Sequence, residues 1–227
     1  MSKFRMKAVV LLSGGIDSST TLYYARHKGY DCHCLIFDYG QRHRREIESA
    51  KKIARVCGAN WQVVKFNLPW KGSALLDKGV SVPKRRSLRE IRSSIPITYV
   101  PARNTVFLSF ATSYAEATGA KAIFIGANAI DFSGYPDCRP AYYEIFKVLI
   151  KYGTKVGAEK KGIKIFTPLI KMTKAQIIKL GMKLKVPYEY TRSCYSGGKR
   201  PCLKCDSCVL RAKGFNEAGF IDPLIKR

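Results

Sequence analysis

The chain has 227 residues, with 41 Lys and Arg against 16 Asp and Glu, a formal charge of +25 and a hydrophobic fraction of 46%. That length and apolar content suit one domain with a substantial core, or one domain and a small appendage, and exclude a disordered chain. No apolar run approaches the roughly 18 residues that a bilayer requires, which excludes a transmembrane helix.

The apolar run 8–12 predicts a first strand buried on both faces. It is too short for a signal peptide, and Gly14-Gly15-Ile16-Asp17 follows with no small-residue cleavage site, so the protein is expected in the cytoplasm. A helix is predicted over 18–28, stopped by Gly29. A second buried strand covers 32–37. Helical spacing through Ile47, Ala50, Ile53 and Ala54 places a helix over 44–57, closed by Gly58. A shorter strand follows at 62–66. Residues 67–101 carry four prolines and the basic run Lys84, Arg85, Arg86, Arg89, Arg92, and read as a long loop or lid with room for a short helix. Beyond it come a helix at 105–118, a strand at 122–125, a helix at 142–152 and a strand at 163–166. The last predicted helix of this series covers 173–180, capped by Thr173 and stopped at Gly181. The alternation predicts an α/β fold, a doubly wound parallel sheet, whose ligands bind beyond the carboxyl ends of the strands.

The segment Ser13-Gly14-Gly15-Ile16-Asp17-Ser18-Ser19 lies directly between the first strand and the first helix. Two glycines allow a tight turn and close approach, and the helix start offers unpaired amides and a positive dipole end. Together they make an anion site, to which the serine hydroxyls add donors. Asp17 fits bare phosphate badly; Mg²⁺ or a capped amide suits it. An ordinary capped glycine turn has the same composition. Neither G-x-x-x-x-G-K-[ST] nor G-x-G-x-x-G is present.

Eight cysteines occur, and four of them, Cys194, Cys202, Cys205 and Cys208, have the spacing C-x₇-C-x₂-C-x₂-C. In a chain expected in the cytoplasm this points to metal before disulfides. Four thiolates close a tetrahedral shell around Zn²⁺; an iron–sulfur cluster is the rival, and two disulfides remain open. Lys199, Arg200, Lys204 and Arg211 are placed to offset the thiolate charge. Cys32, Cys34 and Cys57 read as small core residues, and Cys138 as a structural or pocket-lining one. The excess positive charge attracts polyanions such as RNA, and equally describes a solvated surface.

The string Ser13 to Ser18 matches the S-G-G-x-D-S signature of PP-loop ATP pyrophosphatases, of the adenine nucleotide alpha hydrolase-like (HUP-like) superfamily, without departure. Further strings resemble one branch, the 7-cyano-7-deazaguanine synthases. These are Phe37-Asp38-Tyr39-Gly40-Gln41-Arg42-His43, Tyr99-Val100-Pro101-Ala102-Arg103-Asn104, Gly126-Ala127-Asn128 with Asp131, Ser133-Gly134-Tyr135-Pro136-Asp137-Cys138-Arg139-Pro140, Thr167-Pro168-Leu169 with Lys174, and the cysteine cluster. They span nearly the whole chain in the family's order. The eight-residue string at 133–140 makes the resemblance narrow.

The resemblance implies ATP-dependent conversion of 7-carboxy-7-deazaguanine and free ammonia to 7-cyano-7-deazaguanine through adenylated intermediates, a step towards queuosine or archaeosine. It implies ATP contacts at Leu11, Leu12, Ser13, Gly14, Gly15, Ile16, Asp17, Ser18, Ser19, Thr20, Phe37 and Lys174. Catalytic roles fall to Asp17, Lys174 and Arg103. Substrate contacts fall to Gln41, Arg42, His43, Arg103, Asn104, Asn128, Asp131, Tyr135 and Asp137. Read alone, His43 is a solvated helix-start residue, Arg103 a surface arginine, and the 128–137 loop Asx-turn chemistry. The resemblance further implies Mg²⁺, zinc on the four cysteines and a homodimer. It divides the chain into a nucleotide-binding domain, 1–190, and a zinc segment with a terminal helix, 191–227. Direct nucleic-acid binding is allowed but not required. The alternative is a PP-loop tRNA-modifying enzyme, a thiolase or ligase that binds tRNA; a non-catalytic zinc-bearing RNA-binding protein fits less well, given the intact phosphate loop.

Overall fold

The computed structural model describes residues 6–130 and 134–225. Five strands, β1 (Lys7–Leu11), β2 (Asp31–Asp38), β3 (Asn60–Lys65), β4 (Ala122–Phe124) and β5 (Lys164–Phe166), form one sheet in the order β3-β2-β1-β4-β5. Every pairing is parallel. The helices are α1 (Ile16–His27), α2 (Arg45–Cys57), α3 (Leu88–Arg92), α4 (Arg103–Thr118), α5 (Pro140–Gly153), α6 (Lys155–Ala158), α7 (Lys174–Lys183) and α8 (Asp206–Ala218).

Side chains of β1 alternate between two cores, as a strand's two-residue period requires. Val9 and Leu11 pack with Leu108 and Ala111 of α4 and Tyr143 and Phe146 of α5. Ala8, Val10 and Leu12 pack with Leu22 of α1 and Ile47, Ala50 and Ile53 of α2. Both faces of the sheet are therefore covered, and each fully buried Val, Leu or Ile contributes about 1.5–3 kcal/mol. Edge strand β3 stays largely exposed, and Trp61 lies under the Arg55 guanidinium.

A third core joins α7 and α8 through Ile177, Ile178 and Phe215, and reaches Ile16 at the start of α1. Thr173 caps α7 as expected: its hydroxyl accepts from the Gln176 amide, and the Gln176 side chain accepts from the Thr173 amide. Gly181 does not stop this helix, which runs on to Lys183. A Cβ at Gly181 would fall 1.7 Å from the Tyr188 hydroxyl oxygen, so the glycine is a packing notch rather than a terminator. The first helix begins at Ile16, two residues before the expected start, so Gly15 is its N-cap.

Candidate active site

Strands β1 and β4 are neighbours, and the connections after them leave to opposite sides. A crevice therefore opens at their carboxyl ends. A cavity of about 260 Å³ occupies it, walled by the loops after β1, β2 and β4, by the start of α4, and by residues 192–195.

The loop after β1 forms its floor. Gly14 has φ +80°, and a Cβ there would lie 2.5 Å from the Glu46 carbonyl oxygen and 2.7 Å from the Ala50 nitrogen. Only glycine allows the loop to sit against the backbone of α2. Gly126 performs the same service after β4, where a Cβ would meet the Asp17 and Ser18 backbone at 2.9 Å. No side chain caps α1, which leaves its first amides to a ligand. Ser13 is exposed at the rim, with its hydroxyl 2.9 Å from that of Ser18. Leu11, Leu12, Gly15, Ile16 and Asp17 complete this side. Ser19 and Thr20 turn away: both are fully buried, and their hydroxyls donate to the Gly15 and Ile16 carbonyls.

Lys174, at the start of α7, donates to both carboxylate oxygens of Asp17 at 2.7 and 2.6 Å. Residues 157 positions apart thus form one charge pair at the mouth of the phosphate loop. Phe37 stacks on Phe107, with ring centroids 4.1 Å apart and planes 4° from parallel. The two rings give the cavity a flat aromatic wall.

Arg103 lies opposite the phosphate loop and donates to the Tyr39 hydroxyl at 3.1 Å. Burial disfavours its charge, but the phenols of Tyr39, Tyr135 and Tyr195 outweigh that cost and hold its pKa above the ordinary value. Burial also pushes Tyr39 up to about 12, so the phenol keeps its proton. Tyr135 is buried, and its hydroxyl lies 3.1 Å from that of Thr98.

Several expected substrate contacts are engaged within the protein instead. Buried Gln41 donates to the Phe37 carbonyl and to Glu46, and accepts from the Tyr39 amide. Arg42 donates to the Asp77 and Val80 carbonyls and pins the lid. Neither residue lines the cavity. Asp137 caps α4: its carboxylate accepts from the Asn104 amide, and its carbonyl accepts from the Asn104 side chain. Burial lifts the Asp137 pKa, against the Asn104 hydrogen bond and the Arg103 charge. Asn104 itself lines the cavity, as does Asn128, whose amide donates to the Leu169 and Met172 carbonyls. Asp131 lies outside the described residues.

His43 is buried in the cavity wall, with Nε2 3.1 Å from Glu46 Oε2. Sequence reasoning missed Glu46, Arg192, Ser193 and Tyr195 as wall residues. Glu46 was findable, since it stands three residues after His43 at a helix start; the 192–195 segment reaches the cavity only through the tertiary fold. The Arg192 amide donates to the Gly14 carbonyl at 2.8 Å and ties the two segments together. Cys138 also lines the cavity, and burial pushes its thiol up to about 12, which leaves it protonated and no nucleophile.

The sulfur atoms of Cys194, Cys202, Cys205 and Cys208 all lie within 4.8 Å of one another. A tetrahedral Zn–S shell of 2.3 Å bonds needs sulfurs roughly 3.8 Å apart, so the set fits a metal after small adjustment. The Cys202 amide donates to the Cys194 sulfur and the Cys205 amide to the Cys202 sulfur, each at 3.3 Å. The lid reaches this cluster by a bridge between Lys84 and Cys205 and an ion pair between Arg86 and Asp206. Arg211 does not balance thiolate charge as expected. Its guanidinium is buried and bidentate on Asp222, at 2.6 and 2.7 Å, where its charge is already neutralised.

A glycine-cradled turn at the switch point of a five-stranded parallel sheet, beside a four-cysteine cluster, is the arrangement that a PP-loop fold predicts. The family model described as "Queuosine biosynthesis protein QueC" matches residues 7–219, and the chain belongs to that family. The 7-cyano-7-deazaguanine synthase of Nostoc punctiforme is 54% identical over 222 residues, covering 97% of this chain and 99% of the relative. That of Thermoplasma acidophilum is 54% identical over 220 residues, covering 97% and 92%. Among solved structures, the U34-tRNA thiolase NcsA of Methanococcus maripaludis, with its 4Fe–4S cluster, superposes with a TM-score of 0.51 at 18% identity. The likeness covers 94% of this chain and 65% of the thiolase chain, and it bears on the fold alone.

Proposed function

We propose that the protein converts 7-carboxy-7-deazaguanine, ammonia and ATP to 7-cyano-7-deazaguanine by two successive adenylations. The observation that carries this reading is one cavity that joins the uncapped start of α1 to a cationic, aromatic far wall at Arg103, in a chain that matches synthases over nearly its full length. A carboxylate is a poor electrophile. Attack of its oxygen on the α-phosphorus of ATP releases pyrophosphate and creates a good leaving group. Ammonia then displaces AMP to give the amide. A second attack, by the amide oxygen, allows that oxygen to depart with AMP and leaves the nitrile.

The chain's own residues hold and align these groups. The free amides of α1 and the Ser13 hydroxyl receive phosphate oxygens. Arg103 orients the acid, and the Phe37–Phe107 wall receives a flat ring. The resting Lys174–Asp17 pair keeps both charges compensated until nucleotide arrives. Lys174 then serves phosphate, and Asp17 would hold Mg²⁺, which would supply charge neutralisation at the phosphates. Cys194, Cys202, Cys205 and Cys208 would hold zinc, which would supply a structural crosslink for the 191–205 segment that carries Arg192 and Tyr195 into the cavity wall. No helix among the described residues is long and apolar enough to cross a membrane; we place the enzyme in the cytoplasm. We also propose a homodimer, supported by the apolar stripe Ile145, Val148, Leu149 and Tyr152, which α5 leaves exposed.

The test is incubation of zinc-loaded protein with Mg²⁺–ATP, ammonium and the carboxylated deazaguanine, followed by mass spectrometry. Nitrile and AMP are expected. AMP release that requires tRNA, with no nitrile, would instead establish the tRNA-modifying alternative.

A further inference from the structure

A triphosphate presents many acceptor oxygens, and the turn after β1 has few side-chain donors to offer them. Ser19 donates to the Gly15 carbonyl at 2.7 Å and Thr20 to the Ile16 carbonyl at 2.8 Å, while Ser13 and Ser18 bond each other at 2.9 Å. At most one hydroxyl proton of those four is left for a ligand. A fifth hydroxyl stands beside the turn and is not engaged. We propose that Ser193, on the segment that leads into the cysteine cluster, is a further phosphate-binding residue of the nucleotide site; the proposal rests on the function proposed above.

The place of Ser193 is set by anchors on both sides. The amide of the preceding residue, Arg192, donates to the Gly14 carbonyl at 2.8 Å. Before that, Thr191 is fully buried; its hydroxyl accepts from Arg211 Nη1 and donates to the Tyr188 carbonyl, each at 2.7 Å. Beyond Ser193, the Lys199 carbonyl accepts from Arg192 Nη1 at 2.7 Å, which closes the loop 192–199 upon itself. A Cβ on Gly15, the N-cap of α1, would lie 3.7 Å from the Arg192 carbonyl oxygen and 3.9 Å from Ser193 Cβ. Those are ordinary contact distances, so the serine stands directly against the start of the helix whose first amides no side chain caps.

The hydroxyl is available to a ligand. Ser193 is partly exposed and forms part of the cavity wall. Among the described residues its Oγ has no hydrogen-bond partner, and the atom is not sealed off by protein. A serine hydroxyl rotates to suit its partner, and its one proton matches a phosphate oxygen. Because the backbone is anchored on both sides, little further ordering is required when the ligand arrives. The phosphate site is thereby built from two distant parts of the chain, the turn after β1 and the segment that carries the cysteines.

The test is isothermal titration calorimetry of wild type and Ser193→Ala with two probes: the Mg²⁺ complex of a non-hydrolysable ATP analogue, and adenosine, which has no phosphate. Loss of a hydrogen bond to a charged oxygen predicts analogue affinity lower by about 10- to 100-fold. Adenosine affinity should be unchanged, a split that a merely structural serine would not produce. Equal analogue affinity in the two proteins, or an equal loss for both probes, overturns the assignment. The hydroxyl bonds to nothing in the protein, so Ser193→Ala should melt like wild type; a clear drop in melting temperature would mean that the serine serves the fold, and would overturn it too. Ser193→Thr retains the hydroxyl and should bind the analogue as wild type does, whereas a loss equal to that of the alanine variant counts against the proposal. Wild-type protein that binds the analogue no more tightly than adenosine removes the phosphate site itself, so failure of the underlying reading is distinguishable.

Discussion

Replacing Gly14 with Ala should damage the phosphate loop through the backbone of α2, not through any lost side chain. At φ +80° a Cβ costs about 1 kcal/mol of backbone strain. The same Cβ would stand 2.5 Å from the Glu46 carbonyl oxygen and 2.7 Å from the Ala50 nitrogen, both rigid helix backbone. Relieving such overpacking costs about 1–3 kcal/mol more. The sum, about 2–4 kcal/mol, corresponds to a drop in Tm of about 5–15 °C for a chain of this size. Gly15→Ala is the internal control. Its φ is −83°, and the nearest atom to an added Cβ is Ser13 Oγ at 3.6 Å. The loss there is the glycine-to-alanine difference at an N-cap, about 1 kcal/mol or less. Differential scanning calorimetry of the two variants at equal zinc loading measures the contrast. Equal melting temperatures for both would refute the claim that α2 presses on the loop at Gly14.

Replacing Arg211 with Met leaves Asp222 as an unpaired buried charge, and a loss of about 3–5 kcal/mol is expected in urea unfolding. Cys205→Ser should cut bound zinc, measured by a colorimetric chelator, and loosen the 191–205 wall; a fully loaded, equally stable variant would remove Cys205 as a ligand. Burial pushes the thiols of Cys32 and Cys138 up to about 12 and that of Cys57 to about 11, so all three are protonated below those values. Iodoacetamide at pH 8 should therefore leave them unlabelled in the native protein by peptide mass mapping, and labelling should rise only as pH approaches 11. Asp17→Asn should abolish AMP formation while leaving the fold intact by circular dichroism, and retained turnover would remove Asp17 from the mechanism.

The central strands β1 and β4 were legible as apolar runs, and α1, α2 and α4 by the glycines that follow them, signals that need no tertiary information. The turn after β1 was legible because it is built from local backbone: a strand end, two glycines and a helix start. The cysteine set was legible from spacing alone. Direction was not legible. Gln41, Arg42 and Asp137 carry suitable chemistry for a substrate, yet the fold turns each towards backbone partners of the protein, and residue type cannot tell inward from outward. Gly181 shows the same limit: a glycine near a helix end reads as a stop, while its actual reason, the Tyr188 hydroxyl, arrives from the next loop. Tyr195 and Arg192 enter the wall because the Arg192 amide reaches the Gly14 carbonyl, a contact 178 positions away in sequence that no local pattern announces.

The central claim is that the amides at the start of α1, beside Gly14 and Gly15, receive the phosphates of ATP. A crystal structure with a non-hydrolysable ATP analogue and Mg²⁺ tests it directly. The account predicts phosphate oxygens within hydrogen-bond distance of the 15–18 amides and of Lys174; a triphosphate bound elsewhere, with this turn left empty, would contradict it.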